Sequence, residues 1–313
     1  MYSIDEATTI KKQIQIVCSL SAPAILAQLS SIIMQYIDAA MVGSLGASSS
    51  AAIGVVASST WLFYGIISAT CTGFSVQVAQ SVGAKDFSRS RQITRQAFLI
   101  VSLLSLVFAS VAMILSFYLP TLLGAAEEIK ADATAYFFIF ALTLPFTMLS
   151  SLGTALLECS GNMKVPSFMN VLMCVLDVVF NALFIFGMNL GVKGAALGSA
   201  SSVLVTAVLI FYFTVYKSEY LNLRGFKENN IFDLKLLKTS VKISVPVAVE
   251  KVAFTGALVA ITKIIAPLGS VALASNSFAV TAESLCYMPG YGIADAATTL
   301  VGQSIGAKRL DLT

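Results

Sequence analysis

The chain has 313 residues, of which 57% are hydrophobic and 11% charged, with a net charge of +3 and no histidine. Soluble domains carry about 25% charged residues, so this composition excludes a soluble globular protein, and no basic tract is dense enough for nucleic acid. Without histidine there is no His-based metal site or proton relay, and the five cysteines form no C-x-x-C pair and read as small apolar residues.

The apolar runs can be taken in chain order. Lys11 and Lys12 precede the first, which continues to Val42. A signal-peptide core is about 7–15 residues long, so this run is expected to be a span. Eight spans are predicted, over 14–42, 51–82, 94–118, 133–157, 166–188, 194–216, 243–265 and 272–304. Repeated apolar runs of about 20 residues define an all-α polytopic membrane protein. The alternating segments of about 10 residues that would mark a β-barrel are absent. Turn chemistry separates the spans at Gly43-Ser-Leu-Gly46, Gly83-Ala-Lys-Asp86, Gly161-Asn-Met-Lys-Val-Pro166 and Pro267-Leu-Gly269.

Of the 19 Lys and Arg residues, 15 fall in or beside the N-terminus, the 2–3, 4–5 and 6–7 loops and the tail. The remaining loops carry only Lys130 and Lys193. By the positive-inside rule the N-terminus is expected on the cytoplasmic side of the cytoplasmic (inner) membrane.

Sliding the chain against itself by 223 positions aligns Pro23 with Pro246, Leu45-Gly46 with Leu268-Gly269, and Gln80-Ser-Val-Gly-Ala-Lys85 with Gln303-Ser-Ile-Gly-Ala-Lys308, without a gap. Gly, Pro, Gln and Lys recurring at one offset indicate a parallel repeat of six helices. Residues 1–223 then form a six-helix lobe, and residues 224–313 a cytoplasmic linker with the first two helices of a second lobe. A complete second lobe would end near residue 446 by the repeat period, so the chain is expected to be a fragment lacking four helices. The alternative is an eight-helix protein.

Five of the six spans carry polar stripes at helical spacing. They are Gln28, Ser31, Gln35 and Asp38 in span 1; Ser68, Thr72 and Ser75 in span 2; Thr143, Thr147, Ser150 and Thr154 in span 4; Asn170, Cys174, Asp177 and Asn181 in span 5; and Ser199, Ser202 and Thr206 in span 6. Ser and Thr stripes serve close packing of membrane helices. An Asp at the centre of a span costs about 2.5–3.5 kcal/mol on insertion scales, and packing gives no reason to accept that twice. Asp177 and Asp38 are therefore candidates for a water-filled cavity, a protonated state or a bound cation. Of the other membrane charges, Glu250 and Lys251 lie about one turn after Pro246 and Lys263 near the outer end of its span, where they can snorkel to the surface; Glu283, near mid-span 8, is the leading second-lobe candidate, with Glu250 also carried and Asp295 a weaker one. Met34, Met41, Met148, Met169 and Met173 suit either an adaptable apolar binding surface or ordinary core.

Several segments in order are similar to the multidrug and toxic compound extrusion (MATE) transporters. Asp38-Ala-Ala-Met-Val-Gly43-Ser-Leu-Gly46 resembles the end of their helix 1, and Ser160-Gly-Asn-Met-Lys-Val-Pro166 their 4–5 loop. Leu183-Phe-Ile-Phe-Gly187 with Gly191-Val-Lys-Gly-Ala-Ala196 resembles their helix 5–6 segment, and Leu300-Val-Gly-Gln-Ser-Ile-Gly306 the end of their helix 8. The resemblance runs from about Pro23 to Lys308. It implies a twelve-helix, two-lobe, alternating-access antiporter, functioning as a monomer when complete, that expels organic, often cationic, compounds through the lipid bilayer in exchange for Na⁺ or H⁺. It implies no cofactor beyond that coupling ion. Carried over residue by residue, the family's first-lobe cation site falls on Asp38, Asp177 and Asn181, a possible Na⁺ site, with Gln35 and Asn170 on the same faces and Ser199 where some members have Thr. One branch of the family has Asn-x-x-x-Asp in helix 5; here the order is Asp177-x-x-x-Asn181. The swap keeps both groups on one face and moves the carboxylate one turn, about 5–6 Å, toward the cytoplasmic end. Where members carry a Glu two turns beyond the helix 7 proline, this chain has Phe254. The alternative function is a flippase for lipid-linked sugars within the same exporter superfamily. No catalytic residues and no enzyme are expected, since no H-E-x-x-H or nucleophile elbow occurs.

Overall fold

The computed structural model describes residues 10–224, 232–265, 270–309 and 311. The predicted Pro267–Gly269 turn lies outside the described residues, as does the side chain of Lys263. Among the described residues, eight long helices follow one another: α1 (Ile10–Gly43), α2 (Ala47–Gly83), α3 (Phe87–Leu122), α4 (Glu127–Cys159), α5 (Lys164–Ala182), α6 (Gly191–Tyr212), α7 (Leu234–Ile265) and α8 (Ser270–Gly306). Five-residue π-helical turns extend α5 over Leu183–Gly187 and α6 over Phe213–Lys217. Among the described residues, α1 to α6 are long and apolar enough to cross a membrane; α7 and α8, at 32 and 37 residues, match them in length.

The helices overrun their predicted spans because hydropathy marks the oily segment, whereas helix propensity and caps set the ends. The largest overrun is α7, which begins nine residues before its span. Asp233 caps it, accepting from Lys235 N at 2.8 Å, and the polar first turns carry Lys235, Lys238 and Lys242. Pro23, Pro120, Pro145, Pro246 and Pro289 lie inside helices, as membrane helices allow when neighbours satisfy the freed carbonyls.

A core of Phe74, Val78, Ile93, Phe98, Phe137, Leu144, Met148, Leu152 and Leu156 joins α2, α3 and α4 and extends to α6 through Ile210. α4 sits at the centre, packed on α2, α3 and α6, while α5 pairs with α6 and α1. The outer face of α3 exposes Leu99, Leu103, Leu106, Val107 and Ile114, a stripe that water would disfavour and lipid accepts.

The two helices of the second repeat pack onto the first unit. α7 runs along α2, and α8 along α1 and α2, while α1 with α2 and α7 with α8 barely touch. Gln77 donates to Ser240 Oγ at 2.7 Å across the α2–α7 contact. The repeat is legible in local geometry. Lys85 and Lys308 both adopt left-handed backbone, with φ 59° and 58°. Each follows a helix end closed by the same three bonds: Ala84 N to Gln80 O, Lys85 N to Val82 O and Asp86 N to Ser81 O at 2.9, 3.0 and 2.9 Å, and Ala307 N to Gln303 O, Lys308 N to Ile305 O and Arg309 N to Ser304 O at the same distances.

The start of α7 is tied to the first unit. Arg89 of α3 pairs with Asp233 Oδ2 at 3.0 Å, while Gln96 donates to Asp233 O at 2.9 Å and accepts from Asp233 N at 3.2 Å. The Lys235 backbone N–H and the Arg89 guanidinium hold the Asp233 carboxyl below its ordinary value. Phe87 and Tyr220 stack beside this joint with ring centroids 4.7 Å apart.

Candidate functional site

The polar stripes converge. A cavity of about 1140 Å³ opens between α1, α2, α4, α5, α6 and α8, and every Ser and Thr predicted in the stripes of α2, α4 and α6 lines it. Most of those hydroxyls donate back to their own helix, as Thr143 does to Ile139 O at 2.7 Å and Thr72 to Ser68 O at 2.9 Å. Their protons are committed to the backbone, so they present oxygen lone pairs to the cavity.

Asp38, Asp177, Asn181, Gln35, Asn170 and Ser199 all lie on the cavity wall. Asn181 is the hub. Its amide nitrogen donates to Asp38 Oδ1 at 2.9 Å and to Asp177 Oδ2 at 3.0 Å, so one side chain uses both N–H groups to join carboxylates from α1 and α5. Asp177 and Asn181 are each 2% exposed, whereas Asp38 is half-buried and Gln35 faces open space. The order Asp177-x-x-x-Asn181 thus places the amide between the two acids. Ser202 Oγ lies 3.2 Å from Asp177 Oδ1 and 2.9 Å from Ser199 O, and its single proton serves one acceptor at a time. Asn170 donates to Ser31 Oγ at 3.0 Å and Ala27 O at 3.1 Å, pinning α5 to α1 one level below.

α6 reaches Asp177 because Gly198 leaves room: a β-carbon there would stand 2.8 Å from Asn181 N and closer still to Asn181 Oδ1. Asn181 Oδ1 itself is buried and has no hydrogen-bond partner. Amide and hydroxyl oxygens beside two carboxylates form an oxygen-rich donor set suited to a hard cation or a proton. Among the described residues no three His, Cys, Asp or Glu side chains cluster as a metal site, so any cation held here would take part of its shell from amide, hydroxyl, carbonyl or water oxygens.

Glu250 and Glu283 are not brought to the cavity. Both are exposed, and Glu250 lies 3.8 Å from its neighbour Lys251. Asp295 of α8 does line the cavity, together with Glu158 at the end of α4, which the sequence stripes missed. Gln28 hydrogen bonds Asp295, and Thr299 of α8 donates to Glu158 O at 3.1 Å. Glu158 sits beside a loop and reads as an ordinary helix end until α8 is placed against it. Trp61, Tyr64, Tyr136 and Phe140 supply an aromatic wall, and Met34, Met169 and Met173 line the cavity, whereas Met148 is core. No Lys or Arg occurs among the described cavity-lining residues.

Fold and cavity together define a polytopic helical membrane protein built from repeats around a polar, acidic chamber. The chain belongs to the MatE family, whose model matches residues 23–183 and 246–312, two stretches that begin at the repeat-related Pro23 and Pro246. It is 25% identical over 268 residues to a probable multidrug resistance protein of Bacillus subtilis, YoeA, covering 83% of this chain and 58% of that protein. It is 22% identical to a probable multidrug resistance protein NorM of Thermotoga maritima, covering 96% of this chain and 65% of that one. The chain therefore spans about three-fifths of the length of these curated relatives. A MOP superfamily transporter from Pyrococcus furiosus shares the fold with a TM-score of 0.89 at 21% identity, covering 96% of this chain and 66% of that one. A MATE transporter of Vibrio cholerae does so with a TM-score of 0.88 at 20% identity, covering 96% and 68%.

Proposed function

We propose that the protein exports organic, often cationic, drug-like compounds across the cytoplasmic membrane by alternating access, in exchange for Na⁺ or H⁺, with its N-terminus in the cytoplasm. The observation that carries the proposal is the Asp38–Asn181–Asp177 constellation on the cavity wall. Asp177, supported by Asp38 and Asn181, alternately holds the coupling cation and releases it as substrate binds or leaves. Gln35, Asn170 and Ser199 complete the polar wall, and the aromatic and methionine side chains receive the apolar part of the substrate. Family membership and the names of the relatives support drug export; the acidic, oxygen-rich cavity supports cation handling. One charge crossing about 100 mV releases about 2.3 kcal/mol, enough to sustain a gradient of nearly fifty-fold.

A flippase for lipid-linked sugars is the second reading, which Lys251, beside Asp295, and Lys263 keep open. A pyrophosphate calls for cationic groups, and the described cavity wall offers carboxylates instead. Loading vesicles with an organic cation and imposing Na⁺ and pH gradients separately tests the proposal. Efflux driven by one gradient identifies the ion; efflux indifferent to both rejects coupling.

A further inference from the structure

Arg91, in the second turn of α3, is a charge without a counterpart. Its neighbour Arg89 is committed to Asp233 and Gln92. Among the described residues Arg91 has no hydrogen-bond, ion-pair or ring partner. Its Nε is buried, while the side chain as a whole is half-buried and keeps its terminal nitrogens accessible. A buried donor on a charged group is costly to leave unpaired, so native structures supply it with a partner or an ion. This fold supplies neither. α3 carries no Asp or Glu, and Glu219, the acid just past α6, is exposed and does not pair with Arg91.

The surroundings define the chemistry of the missing partner. α3 and α6 each pack on α4 but hardly touch one another, which leaves a groove between them. Two aromatic pairs bridge it. Phe87 stacks on Tyr220 with ring centroids 4.7 Å apart, and Phe98 meets Phe211 edge to face at 5.1 Å. Positions 87, 91 and 98 share one face of α3, so Arg91 lies between the two bridges. It precedes the apolar span over 94–118 by one turn, and α6 leaves its own span at residue 216. Both ends therefore stand at headgroup level, on the side that the distribution of Lys and Arg assigns to the cytoplasm. Deeper in the membrane the two helices expose Leu99 and Leu103, and Val208 and Phe211. A ligand that fits is anionic at one end and apolar at the other.

We infer that the α3–α6 groove binds an anionic phospholipid, with the headgroup phosphate on Arg91 and an acyl chain along Phe98 and Phe211. The terminal nitrogens of a guanidinium match two phosphate oxygens at once. A headgroup of net negative charge supplies the counterion that the fold lacks, whereas a zwitterionic headgroup brings its own cation. The site lies outside the central cavity and rests on the membrane-spanning fold, not on what the chamber transports.

The test reconstitutes the purified full-length protein in bilayers of equal phosphatidylglycerol and phosphatidylcholine. Phe211→p-benzoylphenylalanine serves as a photoreactive probe in the groove, and its lipid adducts are counted by mass spectrometry. Phosphatidylglycerol should be captured about fivefold over phosphatidylcholine, the advantage of one cation meeting an anionic headgroup. Adding Arg91→Gln should make capture even, whereas Lys238→Gln, which removes an exposed cation from α7, should leave the preference unchanged. Arg91→Gln should also insert at the parental level, because the side chain has no described partner to lose. Even capture by the parent, a preference that survives Arg91→Gln, one lost equally in Lys238→Gln, or an Arg91→Gln protein that fails to insert overturns the site. A preference erased by millimolar inorganic phosphate marks a free-phosphate site and overturns the lipid.

Discussion

Replacing Asn181 with Leu keeps the volume of the side chain and removes the amide that joins the two carboxylates. Hydrogen bonds between side chains inside membrane proteins average about 0.6 kcal/mol in double-mutant cycles, and a charged acceptor roughly doubles the strength. Asn181 makes two such bonds, at 2.9 and 3.0 Å, so the loss should be about 2–3 kcal/mol. At about 2 °C per kcal/mol for a chain of this size, the apparent melting temperature in detergent should fall by about 5 °C. Because the lost bonds also hold Asp38 beside Asp177, cation-driven efflux should drop more than tenfold while the protein still inserts. Melting followed by intrinsic fluorescence, alongside efflux from vesicles, reads both effects. A variant that melts within 1 °C of the parent and pumps normally would refute the bridge and its part in coupling.

Gly198→Val should push α6 away from Asn181 and Asp177; efflux should fall to background with the protein still present in the membrane, whereas Val208→Leu, on the exposed face of α6, should pump at the parental rate. The Asp233 carboxyl lies below its ordinary value because the folded state stabilises the anion. Its contribution to the α3–α7 joint is therefore fully present above the unfolded value of about 3.9 and is lost as pH falls through the lower folded value. Hydrogen exchange at the start of α7 should stay slow at pH 5 and quicken only in stronger acid, and Asp233→Asn should exchange quickly at both.

Helix number and order were legible in the sequence because hydropathy over about 20 residues is the strongest signal a membrane protein carries. The repeat was legible because Gly83, Gln80 and Lys85 recur with their spacing at Gly306, Gln303 and Lys308, and the structure gives that spacing a physical cause in matched helix ends. The polar stripes of α1, α2, α4, α5 and α6 were legible because each occupies one helical face, but the Ser and Thr stripes read as packing faces and only the Asp stripes as facing a cavity; that all five line one chamber depends on how the helices are arranged. Three features stayed hidden. That Asn181 bridges both acids depends on the distance between α1 and α5, which periodicity does not report. The cavity positions of Glu158 and Asp295 depend on how α8 lies against α4, a contact between residues 141 positions apart for Thr299 and Glu158. Glu283 looked central by position along its span, but exposure depends on which way a helix is rotated, and α8 turns Asp295 to the cavity instead.

The most direct test of the account is Asp177→Asn in vesicles energised first by a Na⁺ gradient and then by a pH gradient. The swap keeps the size of the side chain and removes the charge; its amide oxygen can still accept from Asn181, while its NH2 can only donate to Ser202 Oγ, which now donates to Asp177 Oδ1. The account predicts that organic-cation efflux driven by the effective gradient is lost, with substrate binding to the purified protein retained. Efflux at the parental rate under that gradient would contradict it.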